Sequence, residues 1–223
     1  MTVNAVFFDL DGTLLDTAPN LAKALNRLLS EIGREHIPEP TIRKVVSNGA
    51  YAMLKLAFGI DRDHPDTPEL RQRLLDFYAE DLDSSTALFP GLNDLLERFL
   101  EHNIAWGIVT NKPEPYAAPL VENFRFPSRP VCVICPENVT HRKPHAESLH
   151  LACEYANCKT DAAIYIGDHL RDIQCGQNAG MPTIAVNYGY IDSGDNAYDW
   201  GANYVVETGH EIWPIIEAKL FDS

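Results

Sequence analysis

The sequence has no long hydrophobic run and few positive charges. No stretch of the 223 residues is apolar over the roughly 18 to 20 positions that span a bilayer, so no transmembrane helix is expected. Lys and Arg number 18 against 32 Asp and Glu, which gives a formal net charge of -14. Such a charge excludes nucleic acid and anionic membrane as bulk partners. A local group of cations is therefore needed to attract any anionic substrate.

Cysteine is also scarce, and its odd count of five does not suit a disulfide framework. Cys132 and Cys135 have the spacing of a redox or metal pair, but the residues between them are typical of a buried strand. Residues three apart on a strand face opposite ways. We interpret all five cysteines as small buried hydrophobes in a reducing compartment. No signal peptide is recognised ahead of the apolar run that begins at Val3, so a cytoplasmic location is expected.

Short apolar runs recur along the chain, and stretches with helical periodicity lie between them. This alternation predicts βαβ units, and hence a three-layer α/β/α, Rossmann-like fold with a mostly parallel sheet. In such folds the chemistry lies at the carboxyl ends of the strands. The predicted strands are residues 3–8, 104–109, 131–134, 162–166, 183–186 and 204–206.

Residues 17–86 interrupt this alternation with helical patterns alone. The first predicted helix carries an apolar stripe from Leu21 to Leu29 and ends at Gly33. The second follows Pro40, and the third and fourth cover residues 50–58 and 69–83, separated by a Pro- and Asp-rich cluster at 61–68. We therefore predict a core domain of residues 1–16 and 87–223, with a four-helix cap inserted after the first strand.

The first apolar run leads into two carboxylates, Asp9 and Asp11, and breaks at Gly12. Side chains two apart on an extended chain point the same way, so both carboxylates should face one site. Two such groups repel each other, and the arrangement is typical of sites with a divalent cation, a shared proton or a covalent intermediate. The segment predicts an active site at the end of the first strand.

Polar residues also follow later strands. The Thr110 hydroxyl and the backbone N–H groups after it would form a donor cluster for phosphate oxygens, whereas Lys112 is left open between site and solvent. Pro144 suits the first turn of a helix, which places Lys143 just ahead of that helix at the rim of the site. His169, after the fourth predicted strand, is interpreted as a solvent-facing residue at a helix start.

In their order, these segments resemble four motifs of the haloacid dehalogenase superfamily: Asp9-x-Asp11-Gly-Thr, Thr110-Asn, Lys143-Pro and Gly-Asp168-x-x-x-Asp. The resemblance implies that Asp9 attacks phosphorus and forms an aspartyl phosphate. Asp11 then protonates the leaving oxygen and later deprotonates water, while Lys143 offsets charge. It further implies a Mg²⁺ site of Asp9, Asp168 and the Asp11 carbonyl, substrate contacts from Gly12, Thr110, Asn111 and Lys143, and supporting roles for Thr13 and Asp172.

The cap should select the substrate. The chain resembles the phosphoglycolate phosphatase branch. Segments 45–50, 106–113, 135–140 and 195–202 resemble phosphatases of N-acetylmuramic acid 6-phosphate from bacterial cell-wall recycling. The resemblance implies that Ser47, Asn48 and Gly49 contact the leaving group, whereas Arg43 is expected in solvent. The expected function is Mg²⁺-dependent phosphomonoester hydrolysis of a small phosphorylated metabolite. N-acetylmuramic acid 6-phosphate is the leading candidate and 2-phosphoglycolate the second.

Three alternatives remain open from the sequence. A phosphotransferase resembling β-phosphoglucomutase would use the same core residues. A signalling receiver domain also uses Asp, Thr, Lys and Mg²⁺, but it places its phosphorylated Asp after the third strand, where this chain has Cys135 and Pro136. A binding protein without activity is disfavoured because the motif residues are all present. A monomer or weak homodimer is expected.

Overall fold

The main sheet has six parallel strands, and its central strand carries the first motif at its end. The computed structural model describes residues 3–221. The strand order is β5-β4-β1-β6-β7-β8, so the chain winds outward from β1 in one direction and then in the other. The strands are β1 Ala5–Phe8, β2 Leu15–Asp16, β3 Ala87–Leu88, β4 Ala105–Val109, β5 Val133–Ile134, β6 Ala163–Gly167, β7 Thr183–Val186 and β8 Tyr204–Val206.

Register brings the predicted site residues to one edge of this sheet. Phe8 of β1 lies opposite Ile108 of β4 and Ile166 of β6, so the three strands end side by side. The residues that follow them, including Asp9, therefore meet at the point where the winding direction reverses. Ligands of open parallel sheets bind at this point.

Helices cover both faces of the sheet, which confirms the predicted three-layer fold. Alternate residues of β1 face opposite cores: Val6 and Phe8 lie in one cluster, Ala5 and Phe7 in the other. The first cluster includes residues of α5, α6 and α9, and the second includes residues of α7 and α8. The helices are α1 Ala18–Glu31, α2 Glu39–Arg43, α3 Gly49–Phe58, α4 Thr67–Glu80, α5 Leu92–Glu101, α6 Glu114–Asn123, α7 Glu147–Tyr155, α8 Leu170–Ala179 and α9 Ile212–Phe221.

Helices α1 to α4 lie between β2 and β3, which pair antiparallel with Leu15 opposite Leu88 and Asp16 opposite Ala87. This small ribbon stands where the cap was predicted to begin and end, and the division into two domains stays a prediction. Two details of the predicted helices were wrong. The helix after Pro40 has only five residues and includes that proline, and Thr67 and Pro68 open α4 instead of belonging to the preceding cluster.

The five cysteines lie within the described residues and are all unpaired. Cys132 packs in the cluster that contains Phe7, and Cys135 in the opposite one, as expected for positions three apart on a strand. Burial raises the pKa of both thiols to about 12, which keeps them protonated and unreactive. Among the helices in residues 3–221, none has the length and apolar composition to cross a membrane.

Gly91, ahead of α5, should be essential to the packing of the C-terminal segment on the core. Its φ is +89°, and an added Cβ would lie 2.5 Å from the backbone nitrogen of His210. We predict that Gly91→Ala lowers the free energy of unfolding by about 2 to 5 kcal/mol, from left-handed strain and from the clash together. Urea unfolding would measure the loss.

Gly180→Ala is the matched control. Gly180 also has a positive φ, +66°, but an added Cβ would meet nothing within 4 Å. The Gly180→Ala variant should lose only the free energy of left-handed backbone strain, about 1 to 2 kcal/mol. Equal losses for the two variants would contradict the close-packing account of Gly91.

Candidate active site

The buried ammonium group of Lys143 joins two carboxylates at the floor of the site. Its Nζ lies 2.9 Å from Asp9 Oδ1 and 2.7 Å from Asp172 Oδ1. The Tyr165 hydroxyl and the Val109 carbonyl lie 2.8 and 3.0 Å from the same nitrogen, so the three N–H groups of the ammonium have acceptors on every side. A buried charge requires such partners, because burial without them costs several kcal/mol. Strands β1, β4 and β6 and helix α8 are thereby tied together by one side chain.

The prediction that Lys143 lies at the rim was wrong, since only 1% of its side chain is exposed. Helix α7 begins at Glu147, three residues after Pro144, so the proline is not in its first turn. The loop between β5 and α7 carries Lys143 inward, beneath the strand ends. Burial by itself lowers the pKa of Lys143, but the charges of Asp172 and Asp9 outweigh this effect and raise it. The lysine is therefore a fixed cation.

Asp168, after β6, is held by the first motif and by the loop after β7. Its Oδ1 accepts the Thr13 hydroxyl at 3.1 Å, and its Oδ2 accepts the backbone N–H of Tyr190 at 2.8 Å. The backbone of Gly12, with φ at +85°, lies very close to this carboxylate, and an added Cβ would be 2.1 Å from Asp168 Oδ2. The glycine of the first motif is thus required by the approach of this carboxylate.

Three carboxylates converge beside Lys143 and could hold a metal ion. One oxygen from each of Asp9, Asp168 and Asp172 lies within 4.8 Å of the others. Burial raises the pKa of Asp168 well above its ordinary value, and the charges of Asp9 and Asp172 raise it further. Charge repulsion of this kind is relieved by a cation, and an all-oxygen donor set suits Mg²⁺. Asp172 binds Lys143 through one oxygen and the His169 N–H through the other, whereas Lys143 contacts only one oxygen of Asp9 and the donors to Asp168 are uncharged. Asp9 and Asp168 are therefore the freer ligands.

Asp11 lies at the same strand end but has partners of its own. Lys112 Nζ is 2.9 and 3.1 Å from its two oxygens, and the Thr17 hydroxyl donates to Oδ1 at 2.5 Å. Lys112 also donates to the Tyr78 hydroxyl of α4 at 2.9 Å. Burial alone lowers the pKa of Lys112, but Asp11 and Tyr78 outweigh it and raise the pKa. The sequence left Lys112 undecided between the site and solvent. These contacts show that it belongs to the site.

The loop after β4 contributes the predicted Thr110 and Asn111. Thr110 is 4% exposed, and its hydroxyl accepts the Lys112 N–H at 3.1 Å. The Asn111 side chain donates to the Lys143 carbonyl at 3.2 Å, and its own Oδ1 is buried with no hydrogen-bond partner among the described residues. Both line the cavity described below, and the amide side chain of Asn111 fixes the lysine loop.

The segment before α3 reaches the strand ends, although its side chains bind protein groups. The Ser47 hydroxyl lies 3.4 Å from Asp168 Oδ2 and 3.3 Å from the Tyr190 carbonyl. Asn48 donates to Asp192 at 2.6 Å and accepts from Arg171 at 3.1 Å. Ser47, Asn48 and Gly49 line the same cavity as Asp9. That these three residues contact the leaving group of the substrate stays a prediction.

Two predictions of solvent exposure were wrong. Arg43, in the last turn of α2, pairs with Asp16 at 2.7 Å and Glu39 at 2.8 Å. His169 does begin a helix, but it is half-buried, and its Nδ1 accepts the Arg171 N–H at the start of α8. Burial lowers the pKa of His169 to about 4, and the charge of Arg171 adds to the effect. The imidazole is neutral at pH 7, as an acceptor in a cap must be.

A cavity of about 590 Å³ joins the strand ends to the inserted helices. Its floor is formed by the motif residues and its far wall by α3, α4 and the loop between them. The lining residues used below are Asp9, Asp11, Ser47, Asn48, Gly49, Tyr51, Arg62, Arg71, Tyr78, Thr110, Asn111, Lys112, Arg142, Lys143 and Arg171.

Sequence reasoning missed Tyr78 and Tyr165 and the role of Tyr190. Tyr190 accepts the N–H groups of Thr17 and Ala18 at 2.7 and 2.9 Å through its hydroxyl, which anchors the start of α1. In the sequence, Tyr190 follows Tyr188 by two residues in a polar loop after a predicted strand, and this pattern could have indicated a role at the site. Tyr78 lies in a helical stripe typical of core residues, and Tyr165 in a buried strand, so the sequence offers no signal for either.

Comparison with known proteins gives consistent results. Residues 6–186 match the family model of the haloacid dehalogenase-like hydrolases. The chain is 39% identical, over all of its length and 98% of the relative, to the N-acetylmuramic acid 6-phosphate phosphatase of Pseudomonas aeruginosa. It is 36% identical to the phosphoglycolate phosphatase of Xanthomonas campestris pv. campestris, over 94% of each chain. A predicted phosphoglycolate phosphatase from Haemophilus somnus 129PT has the same fold, with TM-score 0.82 and 20% identity, over 96% of this chain and 98% of its own.

Lys112→Met should impair turnover without unfolding the protein, because it removes the cation that holds Asp11. We expect kcat for p-nitrophenyl phosphate to fall about tenfold or more, since a positioned acid or base contributes roughly 10²- to 10⁴-fold. Lys23→Met, which removes an exposed cation from α1, is the control for net charge and should leave kcat unchanged. An unaltered kcat in Lys112→Met would contradict the assignment of Lys112 to the site.

Proposed function

Because the chain belongs to the haloacid dehalogenase-like hydrolases and is a phosphatase, we propose that it hydrolyses small phosphomonoesters through an aspartyl phosphate on Asp9. The observation that carries the proposal is the buried Lys143, which holds Asp9 at 2.9 Å next to Asp168. A carboxylate nucleophile is effective only when its charge and that of the phosphoryl group are offset together. Lys143 provides a fixed charge at that point.

In the first half-reaction, an oxygen of Asp9 forms a bond to phosphorus and the bond from phosphorus to the ester oxygen breaks. Asp11 gives its proton to that oxygen, which leaves as an alcohol. Thr110 lies on the same cavity wall, where its hydroxyl supports binding of the phosphoryl oxygens. Gly12 brings the backbone close to Asp168 and so keeps this part of the site narrow.

In the second half-reaction, water attacks phosphorus, Asp11 takes a proton from it, and the bond between Asp9 and phosphorus breaks. The products are inorganic phosphate and the restored carboxylate of Asp9. The Lys112 ammonium and the Thr17 hydroxyl bind the Asp11 carboxyl group and hold it in place for both proton transfers. One carboxylate thereby serves as acid and then as base.

A Mg²⁺ ion is part of the proposal. The carboxylates of Asp9 and Asp168 and the carbonyl of Asp11 would hold it, and the charge repulsion among the buried carboxylates supports this assignment. When bound, the ion supplies positive charge beside the phosphoryl oxygens. Asp172 orients Lys143, and Thr13 orients Asp168.

For the substrate we propose N-acetylmuramic acid 6-phosphate, with 2-phosphoglycolate as the second candidate. Relatives with these two names are 39% and 36% identical over nearly the whole chain. The cavity of about 590 Å³ is of the size that accommodates a phosphorylated sugar. Ser47, Asn48 and Gly49 face it from the inserted helices and are proposed to contact the leaving group.

Asp9→Asn should abolish phosphate release from every substrate, because the amide is a poor nucleophile. Asp11→Asn should lower kcat roughly 10²- to 10⁴-fold through loss of the acid and base. Asp161→Asn, an exposed position at the far end of β6, should behave as wild type. Phosphate release with p-nitrophenyl phosphate measures all three. Activity of Asp9→Asn above a few per cent would exclude the aspartyl phosphate.

Removal of divalent cations by a chelator should abolish activity, and added Mg²⁺ should restore it. Asp168→Asn should require a higher Mg²⁺ concentration for half-maximal activity, because it weakens the proposed oxygen site. Measurement of phosphate release against free Mg²⁺ tests both statements. Full activity in the chelated protein would contradict the metal assignment.

The substrate proposal requires kcat/KM for N-acetylmuramic acid 6-phosphate to exceed that for 2-phosphoglycolate. Free phosphate should appear without any sugar bisphosphate added, because water is the acceptor. The reverse ranking would select the second candidate. Dependence on a bisphosphate would instead indicate a phosphotransferase.

A further inference from the structure

Four arginines line the cavity, and none forms a salt bridge within residues 3–221. They are Arg62, Arg71, Arg142 and Arg171. Arg73, on the same helix as Arg71 but outside the cavity, is paired with Glu31. In a protein of net charge -14, four arginines around one cavity concentrate positive charge there, and this concentration favours an anionic ligand.

Arg62 and Arg71 form a pair on the wall opposite the motif residues. Both guanidinium groups lie over the ring of Tyr51, with Cζ 4.6 and 5.1 Å from its centroid. The arginines come from the loop before α4 and from α4 itself, and the tyrosine comes from α3. Stacking on an aromatic ring holds a guanidinium in place while its N–H groups stay available for hydrogen bonds.

Arg71 also carries an unsatisfied donor. Its Nε is buried and has no hydrogen-bond partner among the described residues. A buried donor left unpaired costs about 1 to 3 kcal/mol, and a ligand that accepts this hydrogen would recover that free energy. The Nε edge of a guanidinium can bind both oxygens of a carboxylate side by side.

The other two arginines are less suited to this role. Arg171 already donates to Asn48 and to the ring of His169. Arg142 is exposed and precedes Lys143 in the core loop, next to the phosphoryl end of the cavity. Arg62 and Arg71 are therefore the cations best placed to bind a group far from the phosphorus.

We propose that Arg62 and Arg71 bind a carboxylate on the leaving group and so select phosphomonoesters of acids over neutral ones. The inference rests on the proposed function and deepens it, since both candidate substrates carry one carboxylate besides the phosphoryl group. The substrate would then be held at two anionic ends. The phosphoryl end lies at Lys143 and Thr110, and the carboxylate end lies at the Tyr51 pair.

The test compares phosphomonoesters that carry the carboxylate with related esters that lack it. One pair is N-acetylmuramic acid 6-phosphate and N-acetylglucosamine 6-phosphate, and the other is 2-phosphoglycolate and ethyl phosphate. The measured quantity is the ratio of kcat/KM within each pair. We expect the wild type to prefer the acid, and Arg71→Gln to reduce that preference roughly 10- to 100-fold, the value of a charged hydrogen bond.

Further variants distinguish the effect of the positive charge from the effect of the planar guanidinium group. Arg71→Lys should keep only part of the preference, since an ammonium lacks the planar fork. Arg62→Gln, in an exposed loop where a folding defect is not expected, tests the pair independently of Arg71. Arg73→Gln is the matched control on α4: it removes the same charge outside the cavity and should leave the ratio at its wild-type value.

The inference is overturned if the wild type shows no preference in either pair, or if the preference persists in both glutamine variants. Failure of the proposed function gives a different result. The enzyme would then prefer 2-phosphoglycolate over the muramic ester while the arginine variants still lost the preference for acids. Thermal unfolding of each variant confirms that the compared proteins are folded.

Discussion

The ion pairs of Lys143 are the constraint on which the site depends. A fully buried ammonium bound to Asp9 and Asp172 must remain paired, because loss of one partner leaves a buried charge uncompensated and typically costs about 3 to 5 kcal/mol. The same contacts fix Asp9, the proposed nucleophile, relative to β4, β6 and α8. The loop that carries Lys143 is in turn held by Asn111. Position and charge at the reaction centre are thus set by one side chain.

Around this pair the carboxylates have different environments. Lys143 binds one oxygen of Asp9, whereas both oxygens of Asp172 have partners, Lys143 and the His169 N–H. Asp168 accepts only uncharged donors, and Asp11 is held by Lys112 and Thr17. Groups of one chemical kind can therefore act as nucleophile, ligand, positioning group and acid or base. Their partners, not their side-chain type, decide which role each can fill.

The sequence predicts the sheet and the floor of the site well, since both depend on local patterns. Each apolar run became a strand, and the polar residues after the runs meet because parallel strands end at one edge. Contacts between segments that are distant in the sequence were not predicted. Tyr78 of α4 forms a hydrogen bond with Lys112, and Arg43 of α2 forms a salt bridge with Asp16. The inward turn at Lys143 was also missed, because Pro144 is compatible with either a helix start or a loop. Only the packing of the whole chain decides between them.

The ribbon of β2 and β3 has a consequence for how the protein can vary. Because Asp16 lies opposite Ala87, the segment that contains the inserted helices begins and ends at adjacent points, one strand spacing or about 5 Å apart. An insertion with neighbouring ends can be lengthened, shortened or exchanged with little effect on the register of β1 and β4. The residues at the strand ends and the residues of the inserted helices that line the cavity can therefore change independently over evolution. One hydrolytic centre can in this way serve many different esters.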